Sequence, residues 1–520
     1  MNEPLESALL IENKALKAQL IQARGEFTIQ LAAMQLLVDK FREELRLMRT
    51  RQHGASSEQG QYQGGLFDEA EQAVREMPPE VVHVAAHTKT RPCRRPLPAD
   101  LPRFAEVHPL ASETCPLGHV LTPIEPIRSE QLDIIPAQVF VRVHVRQRGV
   151  CRQCNTPPVT ADLPPQPIPK SNASPGLIAY TATSKFVDGM PIYRQSAAHA
   201  RSNIDLPRHT LGGYMVVGGE LITPLVNLLT DVLLDGGIVN MDETPVQVLK
   251  EPQRAAQSKS TMWVMRGGVP GQAVVRFEYD VSRSGAVVER LLAGYNGYLQ
   301  RDGYAAYKKV SAREGVIGLG CWAHVRRAYV DAVKGLPANA QRQATRTQQG
   351  VAFITALYEI EKRIRDQSVD ARKATRIAEA MPILSAFKAW MDAQLVPPTS
   401  ALGRAIHYTL REWPYLTNYC LDGRLSIDNN PAENAIRPFC VGRKNWLFSD
   451  TQDGAVASAN FYTMVETAKA NGLNPYAYLK HVFTELPKAE RVEDMEALLP
   501  WNVSAEKLAD MLRVPSFEQP

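Results

Sequence analysis

Seven cysteines in 520 residues are too few, and odd in number, to suggest a disulfide framework, so any role for them turns first to metal binding. Long apolar runs are absent too: no stretch approaches the roughly 20 residues that a membrane span requires. The N-terminus, with Asn2, Glu3 and Glu6, lacks the basic start and apolar centre of a secretory signal. A cytoplasmic location is therefore expected. Net charge is also scarce. A total of +4 cannot make the whole surface attractive to a polyanion, so nucleic-acid binding would fall to local patches. What is present is a 44% hydrophobic content, ample for buried cores, on a chain long enough for roughly three or four domains.

The first fifty residues carry a seam. Leu16, Leu20, Ala23, Phe27, Leu31, Met34, Val38, Phe41, Leu45 and Met48 recur at steps of three and four, with a stutter around Phe27. Gly25 weakens the helix by about 1 kcal/mol. The reading is a short, marginal zipper over 1–53 that wants a partner, or else a helix packed on its own chain. A flexible linker rich in Ser, Gln and Gly follows within 54–104. From Lys89 to Arg103 five basic residues, among them Arg91, Arg94 and Arg95, face one acid, a local +4 that equals the whole chain's net charge. Four prolines there forbid a helix interior, leaving an extended arm that suits phosphates or a minor groove, or a solvated linker.

Cys151-Arg152-Gln153-Cys154 is a Cys-x-x-Cys knuckle, and Cys115 and His119 stand upstream where the other half of a four-ligand zinc site belongs. A Zn²⁺ module over 105–165 follows, or a lapsed, metal-free ribbon. Residues 170–235 read as short helices. Arg201, Arg208 and His209 flank the start of one of them, as a helix-turn-helix DNA reader would place them, although any small helical bundle reads the same way.

Three acidic stretches in the second half carry most of the chemistry. Asp242 follows the apolar Ile238-Val239 and precedes the alternating Val246 and Val248, so it lies in or at the edge of a strand. Asp302 comes just after Tyr298-Leu299, where another strand would end. Glu433 opens a helix, with Pro431 at its first position and Asn430 as cap. Taken singly, Asp302-Gly303 is an ordinary turn signal and Glu433 an ordinary capping-box glutamate. Together, three ionised carboxylates repel by about 4 kcal/mol per pair at about 4 Å and an effective dielectric of about 20. Divalent Mg²⁺ or Mn²⁺ removes that penalty, and two such ions serve phosphodiester chemistry.

The strings M-D-E-T-P-V-Q-V, R-D-G-Y-A-A-Y, C-W-A-H-V-R-R-A-Y and S-I-D-N-N-P-A-E-N-A-I-R-P-F-C-V-G-R-K-N-W-L-F-S, in that order, resemble the transposases of the insertion-sequence sixty-six family. The resemblance covers nearly the whole chain. It implies a DDE transposase with an α/β, ribonuclease-H-like core whose acids fall on Asp242, Asp302 and Glu433. It also implies a Cys-x-x-Cys-Gly first half for the zinc module. Gly118 stands at the second cysteine position here, and only His119 could substitute.

Within such a core at 236–465, the runs Thr261–Met265 and Ala273–Phe277 read as strands, with Gly267-Gly268 and Pro270-Gly271 turning between them. Cys321 and His324 follow on a helix, close to a Cys-x-x-His signature of several transposase lineages. His324 would contact a phosphate or support a carboxylate. Two ligands make zinc there the weaker reading, and plain packing is the other reading of Cys321. Residues 337–425 read as a helical insertion on the spacing of Phe353, Leu357, Ile360 and Ile364. Arg437, one turn after Glu433, and Arg443 and Lys444 are candidate phosphate contacts, with Trp446 a candidate base-stacking ring. A helical region at 466–520 ends the chain.

The sequence thus points to a homo-oligomeric transposase that binds the terminal inverted repeats of its element, nicks DNA with water and joins 3′ hydroxyls to target DNA. Companion proteins of the same element often accompany the family. The alternatives are a decayed copy that only occupies repeats and a metal-dependent nuclease without a repeat reader.

Overall fold

The computed structural model describes residues 139–149, 159–337 and 345–513, with most positions between 16 and 48. The chain divides into a smaller unit, Pro78–Pro164, and a larger one made of the rest. Among its described residues the smaller unit contains one short antiparallel ribbon, Arg148–Gly149 against Val159–Thr160. The arm residues Arg91, Arg94 and Arg95 and the four zinc candidates Cys115, His119, Cys151 and Cys154 lie outside the described residues.

The larger unit is built on a sheet. Strands β1 (Ile238–Lys250), β2 (Lys259–Val269) and β3 (Gln272–Asp280) form an antiparallel meander, and β4 (Gly297–Gln300) and β5 (Val316–Leu319) add in parallel beyond β1. The order across the sheet is β3-β2-β1-β4-β5. A sixth, three-residue strand, β6 (Ser449–Thr451), pairs in parallel with the far end of β1. The expected turn at Gly267-Gly268 does not form. β2 runs through both glycines and only Pro270-Gly271 turns, because the chain entering β1 passes directly over them: a β-carbon on Gly267 would sit 2.6 Å from the Ile238 carbonyl oxygen. Gly268, at φ +103°, accommodates the local kink that side-chain-bearing residues resist.

Four helices precede the sheet: α1 (Pro175–Phe186), α2 (Ile192–Ala200), α3 (Arg208–Leu221) and α4 (Thr223–Asp235). Positions 201–207 separate α2 from α3, a longer connection than the three- to four-residue turn of a helix-turn-helix. These helices share one apolar cluster with the sheet and with the C-terminal helices, through residues such as Ile178, Leu225, Val264 and Phe483. After β3 come α5 (Gly285–Leu291), the one-turn α6 (Lys308–Ser311) and, following β5, α7 (Trp322–Lys334).

The insertion is helical, as its spacing predicts: α8 (Arg346–Ile364), α9 (Val369–Thr375), α10 (Met381–Asp392) and α11 (Ala401–Leu416). With α7 they enclose a second core centred on Trp322, Phe387, Leu357 and Ile360. The chain returns to the sheet through α12 (Asn430–Trp446) and α13 (Gln452–Ala470), then closes with α14 (Pro475–Glu485), α15 (Val492–Glu496) and α16 (Ala505–Leu512).

Helix α13 covers the free edge of the sheet. Thr467 and Thr463 side-chain oxygens accept the Val275 and Phe277 N–H groups at 3.1 and 2.9 Å, and Asn471 exchanges hydrogen bonds with the backbone of Ala273. An edge strand left bare would invite pairing with another chain; here side chains complete its ladder. No single helix among the described residues is long and apolar enough to cross a membrane; the bent pair α3–α4 passes that test together, at a 48° break, with Leu211, Leu225, Leu229 and Leu233 buried in the core.

The described positions between 16 and 48 are helical, and Leu16, Leu20, Phe27, Leu31, Met34, Phe41, Leu45 and Met48 of the seam are exposed. Near the end of this helix, polar contacts reach its own chain: Glu43 accepts the Ala401 N–H at 3.1 Å, and Arg46 donates to the Gly335 carbonyl at 3.3 Å.

Candidate active site

Asp242 lies inside β1, opposite Val264 of β2, and its Oδ1 accepts the Glu243 N–H at 2.8 Å. Successive strand residues point to opposite faces, so Asp242 and Glu243 leave β1 on different sides. Glu243 is held by the Tyr307 hydroxyl and by Arg283, whose Nη2 and Nε donate at 2.6 and 3.1 Å. Asp302 stands two residues past the end of β4, where its Oδ1 accepts the Tyr304 N–H at 2.9 Å and closes the turn.

Glu433 belongs to α12, which starts one residue earlier than the sequence suggests: Asn429, not Asn430, is the cap. Its side chain is committed elsewhere, and the expected capping box is absent. Asn429 is 1% exposed; its Nδ2 donates to the Met241 carbonyl at 2.7 Å and its Oδ1 accepts from Asn240 at 3.3 Å. This one side chain fastens the start of α12 to β1 beside Asp242. Glu433 Oε1, buried, makes no hydrogen bond among the described residues, and 3.8 Å away stands His324 Nδ1, also buried and without one.

Of the three acids of the sequence, Asp242 is the one on which the charges of the other two act. The Asp242 carboxyl is pushed up to about 8, first by burial, then by the charge of Glu243, with Glu433 and Asp302 adding to it against the opposing Glu243 N–H bond. Glu243 is raised as well, by burial and by Asp302, against the pull of Tyr307 and Arg283. Buried acids pushed toward the neutral form, as Asp242 and Glu243 are, are the condition that a divalent cation relieves, and an all-oxygen set suits Mg²⁺ or Mn²⁺.

Cys321 is the cap residue of α7 and His324 lies in its first turn. The Sγ of Cys321, the imidazole of His324 and the carboxylate of Glu433 each offer an atom within 4.8 Å of the others. Burial, and then the charges of Asp428 and Glu433, raise the Cys321 thiol, while its sulfur accepts the Asn429 N–H at 3.2 Å. A neutral thiol so placed ties α7 to α12. Asp428 accepts the Tyr358 hydroxyl at 3.1 Å and folds back on Asn430.

Of the cationic candidates, Arg443 donates to Thr244 Oγ1 at 2.9 Å and to the Pro245 carbonyl, next to Asp242 on β1. Arg437 is half-buried one turn past Glu433, and Lys444 is exposed. Trp446 is half-buried and packs edge-on against Phe439 at 5.4 Å, so its ring is already partly engaged. Arg201, Arg208 and His209 are exposed. Sequence reasoning missed Glu243, Asn429 and Arg301 as parts of this region, although each stands in a string quoted above. What marked them was adjacency to the acids; their partners are far away in sequence.

Sequence profiles match along most of the chain. The Transposase IS66 family profile matches residues 170–457, its C-terminal element 463–501, a zinc-finger binding domain of transposase IS66 residues 112–155, and a profile described as transposase C of IS166 homeodomain residues 40–105. Three proteins of Sinorhizobium fredii (strain NBRC 101917 / NGR234), each described as uncharacterized, are similar to it. Protein y4jD is 31% identical over 79% of this chain and 82% of its own length. Protein y4qI is 30% identical over 88% of both. Protein y4hP is 27% identical over 91% of this chain and 88% of its own.

Proposed function

Because the chain belongs to the IS66 transposase family, we propose that it is a DDE transposase. It binds the terminal inverted repeats of its insertion sequence, cuts DNA strands with water and joins the 3′ hydroxyls to target DNA. Its core is ribonuclease-H-like, a reading supported by the β3-β2-β1-β4-β5 order with three antiparallel and two parallel members. The observation that carries the proposal is that the charges of Glu433, on a helix, and Asp302, in a turn, both reach the buried Asp242 of a strand.

These three carboxylates would hold Mg²⁺ or Mn²⁺, which, when bound, activates water or a 3′ hydroxyl and stabilises the leaving oxygen. The chain's own residues do the rest. Asn429 keeps the helix of Glu433 in register with the strand of Asp242. His324, 3.8 Å from Glu433, orients that carboxylate or meets a substrate phosphate. Lys444, Arg437 and Arg443 face DNA from α12, and the arm with Arg91, Arg94 and Arg95, together with Arg208, adds phosphate contacts whose loss weakens binding with a lower salt slope.

Zn²⁺ at Cys115, His119, Cys151 and Cys154 completes the module matched by the zinc-finger profile. The divisions at 1–53, 54–104, 105–165, 170–235, 236–465 and 466–520 are its working parts. The exposed seam of the N-terminal helix supports self-association, companion proteins of the element act with it, and it works on DNA in the bacterial cytoplasm. A labelled duplex bearing the inverted repeat that flanks the reading frame, incubated with protein, target plasmid and Mg²⁺, should yield nicked and joined strands. Binding with no cleavage in either Mg²⁺ or Mn²⁺ would remove the enzymatic reading.

A further inference from the structure

The turn that carries Asp302 is held from outside the sheet. Its neighbour Arg301 is 1% exposed and pairs with Glu412 of α11, 3% exposed. The same guanidinium nitrogen, Nη1, also donates to the Asp302 carbonyl at 2.7 Å, and the group lies 4.1 Å from the centre of the Tyr415 ring. On the other side of Asp302, a β-carbon on Gly303 would stand 2.8 Å from the ring of Tyr408. Tyr408, Glu412 and Tyr415 follow one another at steps of four and three, so they form one face of α11. Three successive residues, 301 to 303, rest on that face.

The same helix end also grips the next strand. Gly320 N–H donates to the Tyr415 carbonyl at 3.0 Å, Asn418 to the Gly318 carbonyl at 2.9 Å, and the Trp322 indole to the Leu416 carbonyl at 2.9 Å. A buried ion pair adds little net stability compared with apolar packing of the same volume. What it does impose is a defined geometry on the groups it joins.

We propose that the insertion serves as a positioning platform for the second carboxylate: the Arg301–Glu412 pair, seated with Tyr408 and Tyr415 on one face of α11, fixes the turn that carries Asp302. Arg301 and Glu412 are positioning residues, and the inference rests on the reading that Asp302 holds a divalent cation.

The test uses the full-length protein and Mn²⁺ alone as probe, followed by electron paramagnetic resonance, beside cleavage of a repeat-end duplex. In Glu412→Gln, Mn²⁺ affinity should fall about 10- to 100-fold, as for other groups that orient metal ligands. Cleavage should recover toward the native rate at high Mn²⁺, with duplex binding unchanged. A double variant, Arg301→Met with Glu412→Met, removes the pair without stranding a buried charge, leaving only the exposed Arg411 without its Glu412 partner, and should show the same loss of metal affinity. Folded variants with native Mn²⁺ affinity overturn the proposal. Failure of both to fold also counts against it, because the pair would then be a stability element. Asp302→Ala, run in parallel, separates the two ideas: if it keeps Mn²⁺ affinity and cleavage, the reading of Asp302 itself fails. If it loses both while the pair variants stay native, only the platform fails.

Discussion

The sheet and the helical insertion each support one of the two aspartates, and they do so by different means. Asp242 sits within a laddered strand, paired with Val264 of β2 and two residues past the last pair that β1 makes with β4, so the β1–β2 ladder fixes it. Asp302 sits in a turn beyond the ladder, and the residues on either side of it rest on α11: Arg301 on Glu412 and Tyr415, Gly303 on Tyr408. Both interiors hold rings: the sheet packs Val239, Met241 and Val264 beside a cluster of Phe186, Phe277, Phe439 and Tyr462. The insertion stacks Phe353, Phe387 and Trp390 and buries the whole Arg376 guanidinium, which binds Glu361 through two nitrogens and donates to the carbonyls of Tyr419, Asp422 and Leu425.

The comparison breaks hardest at the acids themselves. Asp242→Ala and Asp302→Ala should lose equally, about four decades of cleavage or more, equivalent to about 5 kcal/mol of transition-state stabilisation. Single-turnover cleavage rates check this, and a large inequality would mean that the two supports hold groups of different importance. Next in size, Arg376→Met removes the fully buried partner of the half-buried Glu361 and should cost about 3 kcal/mol. Hydrogen exchange should show the loss confined to α8–α11 while the amides of β1–β3 stay protected. Uniform loss of protection would mean that sheet and insertion unfold as one.

The metal-free protein should also be sensitive to pH through Asp242. With its folded carboxyl at about 8 against an ordinary 3.8, the folded state keeps a proton that the unfolded chain releases. Stability is therefore greatest below pH 4 on this account alone, falls as pH rises toward 8, by at most about 1.4 kcal/mol per unit, and is flat above. Thermal melts in chelator at pH 5 and pH 8 should differ by less for Asp242→Asn than for the native chain; parallel curves would refute the assignment. The smallest effect belongs to the sheet edge. Thr467→Val removes the hydroxyl that accepts the Val275 N–H and should cost about 1 kcal/mol, read as a shifted denaturant midpoint with cleavage unchanged.

Much of the sheet was legible because alternation is a local signal: Val246 and Val248 mark β1, and Thr261–Met265 and Ala273–Phe277 mark the cores of β2 and β3. Gly267-Gly268 misled because the reason for those glycines, the backbone of Ile238 above them, comes from another part of the chain. The insertion's helices were legible from the spacing of Leu357, Ile360 and Ile364, whereas its grip on the Asp302 turn joins residues 111 positions apart. The same holds for Asn429, one residue before the cap that the sequence suggests, which acts as a clamp on β1 188 positions away. Pairwise contacts between single polar side chains leave no periodic trace.

Glu433 is where the central claim is most exposed, since its place in the first turns of a helix offers an ordinary alternative. Glu433→Ala should bind a labelled repeat-end duplex as the native protein does in a gel-shift, because binding depends on basic side chains and counterion release. The same preparation with Mg²⁺ should leave that duplex uncut. Cleavage at the native rate would contradict the three-carboxylate site and send the search for its third ligand to Asp428.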